Sequence, residues 1–415
     1  MTGVFSRLVG QDAVESELIA AARAARGDSA HSAPDDAPAD APGDETDAAA
    51  GSMTHAWLIT GPPGSGRSVA ALCFAAALQC TSGGRPGCGE CRACTTTMAG
   101  THADVRRIIP EGLSIGVDAM RNIVQIASRR PGTGRWQIVV VEDADRLTEG
   151  AANALLKVVE EPPPSTVFLL CAPSVDPEDI AITLRSRCRH IALVTPPVDA
   201  IARVLVESDG LPEADAAWAA SVSGGHVGRA RRLATDGQAR ERRLRALSLA
   251  RTRPPVTGVR GRRGAGGHRG GRGQGADRGP QRVRGGRAAH GAGRRRHRKG
   301  HGRDHARRHR RDQDLERRQK SRQTRASRDA LDRALIDLAT YFRDALLVSS
   351  GVATVAPYHP DMAEKVAAMA AHAPPDKLLR CIEAVLECRE ALAVNVKPKF
   401  AVDAMVGTVG QALRG

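Results

Sequence analysis

The chain has 415 residues, room for two or three domains at roughly 150 residues each; 41% are hydrophobic but only 2% aromatic, so its cores must rest on Ala, Val, Leu and Ile. It contains no 18-residue apolar run, and its first ten residues lack the basic-then-apolar order of a leader; a cytoplasmic protein is expected, without membrane partners, whose nine cysteines bind metal or lie buried rather than form disulfides. The net charge of +15 is local: residues 251–311 hold 20 Arg and one Lys against Asp277 and Asp304, a surplus of 19, so the remainder carries −4 and a globally basic protein is excluded.

Val4 to Ala25 reads as an amphipathic start. Asp28 to Ser52 carries seven acidic residues and no Lys or Arg, and is predicted to be a disordered, solvated insertion. From His55, short apolar runs at Trp57 to Thr60, Val105 to Ile109, Ile138 to Glu142, Thr166 to Ala172 and His190 to Val194 alternate with helix-like stretches. Continuous apolar strands between helices predict a parallel sheet covered on both faces.

The first run leads into Gly61-Pro62-Pro63-Gly64-Ser65-Gly66-Arg67-Ser68, which opens the apolar helix Val69 to Gln79. Glycines let backbone N–H groups converge on phosphates, the helix N-terminus adds positive potential, and Ser68 is placed to bind Mg²⁺. Arg67 stands where the pattern GxxxxGK(S/T) has Lys, and a planar guanidinium does not replace an ammonium conservatively. Two readings stay open: a vestigial loop kept for the fold, or one that binds nucleotide without turnover.

Behind that helix, Cys80, Cys88, Cys91 and Cys94 form C-x7-C-x2-C-x2-C among glycines. Four soft ligands at this spacing favour a tetrahedral structural Zn²⁺ and leave no open position for catalysis. A redox pair or four reduced thiols are the alternatives. Cys73, Cys171, Cys381 and Cys388 lie in apolar patterns and are expected in the core.

The run Ile138 to Val141 ends in Glu142-Asp143, where an ATPase places Asp for the metal and then Glu to polarise water. The inverted order moves each carboxylate by about one methylene, when chemistry tolerates about 1 Å. Thr148 caps a helix through Val159, which Pro162 to Pro164 stop; Pro196 and Pro197 end the alternation. Val198 to Arg251 reads as helices broken at Gly224-Gly225, and Leu315 to Gly415 as a further helical block. Between them, 251–311 has 16 Gly, three Val and no Leu, Ile or aromatic residue, and should not fold. It reads as a GC-rich gene translated out of frame and then restored, or as a disordered basic linker attracting phosphates nonspecifically.

Taken in order, GPPGSGRS, the four-cysteine module, VVVEDADRL, NALLKVVEEPP and Ser186-Arg187-Cys188 resemble the delta-prime family of bacterial DNA polymerase III clamp-loader subunits, of the actinobacterial kind. The resemblance covers about 1–250 apart from the acidic insertion, resumes more weakly over 313–415 and fails across 251–311. It implies an α/β AAA+ core with a five-stranded parallel sheet (1–197), a helical lid (198–250) and an all-helical collar (312–415) that joins five subunits in a ring. It also implies gamma/tau and delta partners, with sliding clamp and primer-template DNA met through the complex, and a stator without ATPase or polymerase site of its own. The arginine of the Ser-Arg-Cys motif, here Arg187, would then reach the γ-phosphate of a neighbouring gamma/tau subunit; the bland alternative is that it shapes a turn. Gly228-Arg229 resembles the lid's phosphate sensor, and Val9-Gly10-Gln11 the segment beside the adenine; the strand-end polar sensor falls at Ala172 to Ser174 and receives no assignment. Competing functions are an active gamma/tau-like ATPase, suggested by the glycines and Ser68, and a basic nucleic-acid binder acting through 251–311, against which the lack of stacking aromatics counts.

Overall fold

The computed structural model describes residues 3–27, 53–251, 300–394 and 396–414. The acidic stretch Asp28 to Ser52 and residues 252–299 of the basic segment lie outside the described residues. Two compact units form, Met1–Thr252 with Lys320–Gly415, and Arg253–Gln319.

Strands β1 (Ala56–Thr60), β2 (Val105–Ile108), β3 (Gln137–Val141), β4 (Thr166–Ala172) and β5 (Arg189–Ala192) form one parallel sheet in the order β2-β3-β4-β1-β5. Successive side chains of a strand point to opposite faces, and both faces are dry. Trp57, Ile59, Val140 and Leu169 pack with Phe74 and Leu78 of α2 (Arg67–Gln79) and Leu18 of α1 (Asp12–Arg26). Leu58, Val139, Val141 and Phe168 pack with Met120 of α4 (Val117–Ala127) and Leu155 of α5 (Glu149–Glu160). The expected strands are all present, with ends shifted by at most two residues, and they form the expected five-stranded parallel core. The Thr148 hydroxyl caps α5 by accepting from the Ala151 amide at 3.3 Å.

The turn before β3 is held by Asp104, a buried carboxylate that accepts the amides of Gly132, Thr133 and Gly134 and the Thr133 hydroxyl at 2.7 to 2.8 Å. Burial alone would raise its pKa, but these four donors outweigh it and hold the carboxyl near 2 against an ordinary 3.8. A depressed acid stabilises the fold above its unfolded pKa and loses that contribution as pH falls. Asp104→Asn is expected to cost about 2 kcal/mol at pH 7 and to flatten the fall in urea midpoint between pH 4 and 2.

The lid consists of α7 (Val198–Glu207), α8 (Glu213–Ser221), α9 (Val227–Thr235) and α10 (Gly237–Ser248), with Gly224 and Gly225 at φ of 66° and 81° making the break before α9. Its core includes Ile201, Leu205, Ala219 and Leu233. In the collar, α11 (Gly300–Ser349) packs Tyr341 and Phe342 against α12 (Ala363–His372), α13 (Pro375–Ala393) and α14 (Pro398–Arg414). α11 starts inside the basic segment, fifteen residues before the expected Leu315. No Gly or Pro interrupts 303–349, so its Arg, Gln, Ala and Leu residues can sustain a helix. The expectation that all of 251–311 stays unfolded therefore fails at 300–311. Cys73, Cys171, Cys381 and Cys388 are buried as expected. No described helix is long and apolar enough to cross a membrane.

Candidate functional site

The phosphate loop turns back from β1 into α2 with Gly61, Gly64 and Gly66 at φ of 154°, 92° and 99°, a conformation that admits little besides glycine. A cavity of about 690 Å³ opens on it, lined by Val9, Gly64 to Val69, His226 and Gly228. Gln11 anchors the Val9-Gly10-Gln11 segment through two bonds to Val194, at 2.6 and 3.2 Å. His226 presses on Gly64 so closely that a Cβ there would lie 2.4 Å from its ring. Burial, followed by Arg229, Arg333 and Arg232, lowers the pKa of this imidazole and keeps it neutral.

The two acids are already engaged. Glu142 accepts the Ser68 hydroxyl at 3.1 Å on one oxygen and Arg107 at 2.6 and 2.9 Å on the other. Asp143, at φ 53°, is held by Arg325 of α11, which also donates to the Pro110 carbonyl. Ser68 is thus tied to the residue at the metal position, and a collar arginine occupies the residue at the water position. By contrast, Ser65 Oγ and Arg67 Nη1 are buried without a partner among the described residues. Asp145, beside them, has its pKa raised by burial and by Asp143.

Arg229 does not join this cavity. Its guanidinium pairs with Asp337 of α11, both largely buried, while Gly228 faces the loop. Arg229, read from the sequence as a phosphate contact should nucleotide bind, thus has a buried carboxylate as its partner, which a phosphate would have to displace.

Arg187 follows the short helix α6 (Ile182–Arg185) and precedes β5 by two residues. Arg189 is in register with Trp57 and Ala192 with Thr60, so Arg187 precedes the N-terminal end of this strand pair while the phosphate loop follows its C-terminal end, about 10 Å of strand at ~3.3 Å per residue lying between them. It therefore stands at the opposite end of these strands from its own chain's phosphate loop. The side chain is 39% exposed and pairs with Glu160 at 2.8 Å, and it donates to the Thr183 carbonyl at 2.9 Å.

The sulfurs of Cys80, Cys88, Cys91 and Cys94 all lie within 4.8 Å of one another. A tetrahedral ion with Zn–S bonds of ~2.3 Å would space them by ~3.8 Å, so the set closes on such an ion with small adjustments. The amides of Cys91 and Cys94 donate to Cys88 and Cys91 sulfur at 3.4 and 3.5 Å, a turn geometry suited to thiolates. Burial would raise the Cys91 pKa, but hydrogen bonds from Cys94 and Thr81 bring it down to about 6. The module braces the N-terminus: Val4 donates to the Gly87 carbonyl at 2.9 Å, and Arg26 donates to the Ser82 and Cys80 carbonyls at 3.0 Å. The four-cysteine spacing was sufficient to find this cluster; Arg107, Arg325 and His226 carried no signal in the sequence.

Residues 45–197 match the family model described as DNA polymerase III, delta subunit, and 326–398 the one described as DNA polymerase III, delta subunit, C terminal; together these ranges exceed half of the chain. The chain is 38% identical over 207 residues to DNA polymerase III subunit delta' of Escherichia coli (strain K12), covering 48% of this chain and 61% of that protein. It is 32% identical over 160 residues to the delta' subunit of Bacillus subtilis (strain 168), covering 39% and 48%. Against DNA polymerase III subunit gamma/tau of Mycobacterium tuberculosis (strain ATCC 25618 / H37Rv) it is 31% identical over 174 residues, 41% of this chain and 30% of that one. The chain thus spans about three-fifths or less of the length of these relatives. With the sheet order, the phosphate loop and both matched regions in agreement, the chain belongs to the delta-prime family of DNA polymerase III clamp-loader subunits.

Proposed function

We propose that this chain is a stator of the DNA polymerase III clamp loader: it hydrolyses no ATP itself and lends Arg187 to the nucleotide site of a neighbouring gamma/tau subunit during sliding-clamp loading. The observation that carries this reading is the state of the acid pair, with Glu142 held by Arg107 and Asp143 held by Arg325. A carboxylate neutralised by a guanidinium is a poor metal ligand and a poor water-polarising group. Gamma/tau and delta subunits are the direct partners in this reading, with the clamp and primer-template DNA met through the assembly. Cys80, Cys88, Cys91 and Cys94 would hold a structural Zn²⁺ that fixes the loop behind the phosphate-binding helix.

The competing reading, an active gamma/tau-like ATPase, requires turnover by the isolated chain. Phosphate release from purified protein is expected to stay at background. Arg67→Lys alone is expected not to restore it, because the substitution leaves both acids engaged; motor-like turnover by the unmodified chain would overturn the proposal. The buried, unpartnered Ser65 Oγ and Arg67 Nη1 favour a milder variant, ATP binding without hydrolysis, which an equilibrium titration with ATP reads directly.

A further inference from the structure

A second cavity, of about 230 Å³, lies between the lid helices α9 and α10 and the collar helix α11, and its charge does not balance. Five arginines line it, Arg229, Arg232, Arg242, Arg243 and Arg333, against Asp337 as the one lining carboxylate. Three of the five are paired: Arg229 with Asp337, Arg243 with Asp361 at 2.7 Å, and Arg242 with Asp236 at 3.2 Å. Among the described residues Arg232 and Arg333 have no hydrogen-bond or ion-pair partner. The nearby Asp332 is paired with Arg389 at 2.7 Å, and Asp329 lies 3.7 Å from Arg325 and 3.8 Å from Arg146.

Arg333 is half-buried, and burial, then the proximity of Arg232, lowers its pKa. Arg333 is half-buried beside Arg232 with Asp329 and Asp332 acting on it only at a distance, and a doubly charged oxyanion can accept forked hydrogen bonds from Arg333 and from the exposed Arg232 together. We propose that this lid–collar cavity is a binding site for a phosphate-class oxyanion, held by Arg333 and Arg232 and distinct from the phosphate loop. The site would tie lid to collar when filled, since its two ligating cations come from α9 and α11.

The test uses the intact chain, titrated calorimetrically with inorganic phosphate, pyrophosphate and ATP at matched ionic strength and melted in the presence and absence of phosphate. Arg333→Gln is expected to weaken phosphate binding at this cavity at least about tenfold, about 1.4 kcal/mol, and this Arg333-dependent component is expected to persist in Arg67→Gln, whose side chain lines the other cavity. In phosphate-free buffer R333Q should melt no lower than the unmodified chain, because it removes an unpaired cation; in saturating phosphate the order should reverse. Arg232→Gln, at an exposed position, gives the same readout if R333Q fails to fold. Competition by ATP through Arg333 would assign the ligand as a nucleotide tail, and binding of inorganic phosphate without it as the free ion; either supports the site. Phosphate affinity that is insensitive to both R333Q and R232Q, or that disappears with R67Q, overturns it.

Discussion

Replacing Arg187 by Ala in a complex reconstituted with gamma/tau and delta subunits lowers DNA-stimulated ATP turnover at the adjoining site by about 10³-fold, the lower end of what a guanidinium supplied in trans contributes. Arg67→Ala in the same complex changes turnover by less than about twofold, the ratio that ordinary surface changes produce. The contrast follows from position. Arg187 stands just before the edge strand β5, at the end of the sheet away from its own phosphate loop, and in the reading proposed above it meets another subunit's triphosphate there. Its partner in the free chain is Glu160, and with side chains 39% and 46% exposed such a pair is worth about 1 kcal/mol or less, so a γ-phosphate can displace it. Glu160→Gln is therefore a mild change in this account. If Arg67→Ala were the damaging substitution and Arg187→Ala the silent one, the stator reading would fail.

The second large effect concerns the four cysteines. Purified chain is expected to carry one equivalent of zinc by atomic absorption, and Cys88→Ser is expected to lose it together with roughly 10 °C of melting temperature. The shift should stay below what a zinc finger suffers on losing its metal, because Leu72, Phe74 and Leu78 of α2 keep their own apolar packing. What melts first is the N-terminal brace, since Val4 and Arg26 bond to carbonyls of the cysteine loop. A metal-free chain whose melting is untouched by chelators would show four ordinary thiols instead.

The parts of this protein that were legible from residues alone are those with a local signature. Strands announced themselves as apolar runs because the sheet is covered on both faces, the phosphate loop through its glycines, and the four-cysteine cluster through its spacing. The engagement of the acids was illegible because it is long-range: Arg107 meets Glu142 across neighbouring strands, and Arg325 meets Asp143 from 182 positions away. The pairing of Arg229 was illegible for the same reason, its partner Asp337 being 108 residues off on a helix whose packing no spacing rule encodes. The early start of α11 was missed because abundant arginine and glycine hid the point, after Gly302, where the glycines cease.

The salt bridges around Glu142 and Asp143 also bear on how such a subunit can change over generations. Shortening Glu142 to Asp withdraws its carboxylate from Ser68 and from Arg107, whose side chain is only 33% exposed. Lengthening Asp143 to Glu crowds Arg325, which is 17% exposed and also serves Pro110. Each step back toward a hydrolytic site thus unseats a cation before any catalysis can reward it. In the stator proposed above, idleness at this pocket would be built into the structure, and a lineage carrying these ion pairs would be ratcheted against gaining a motor.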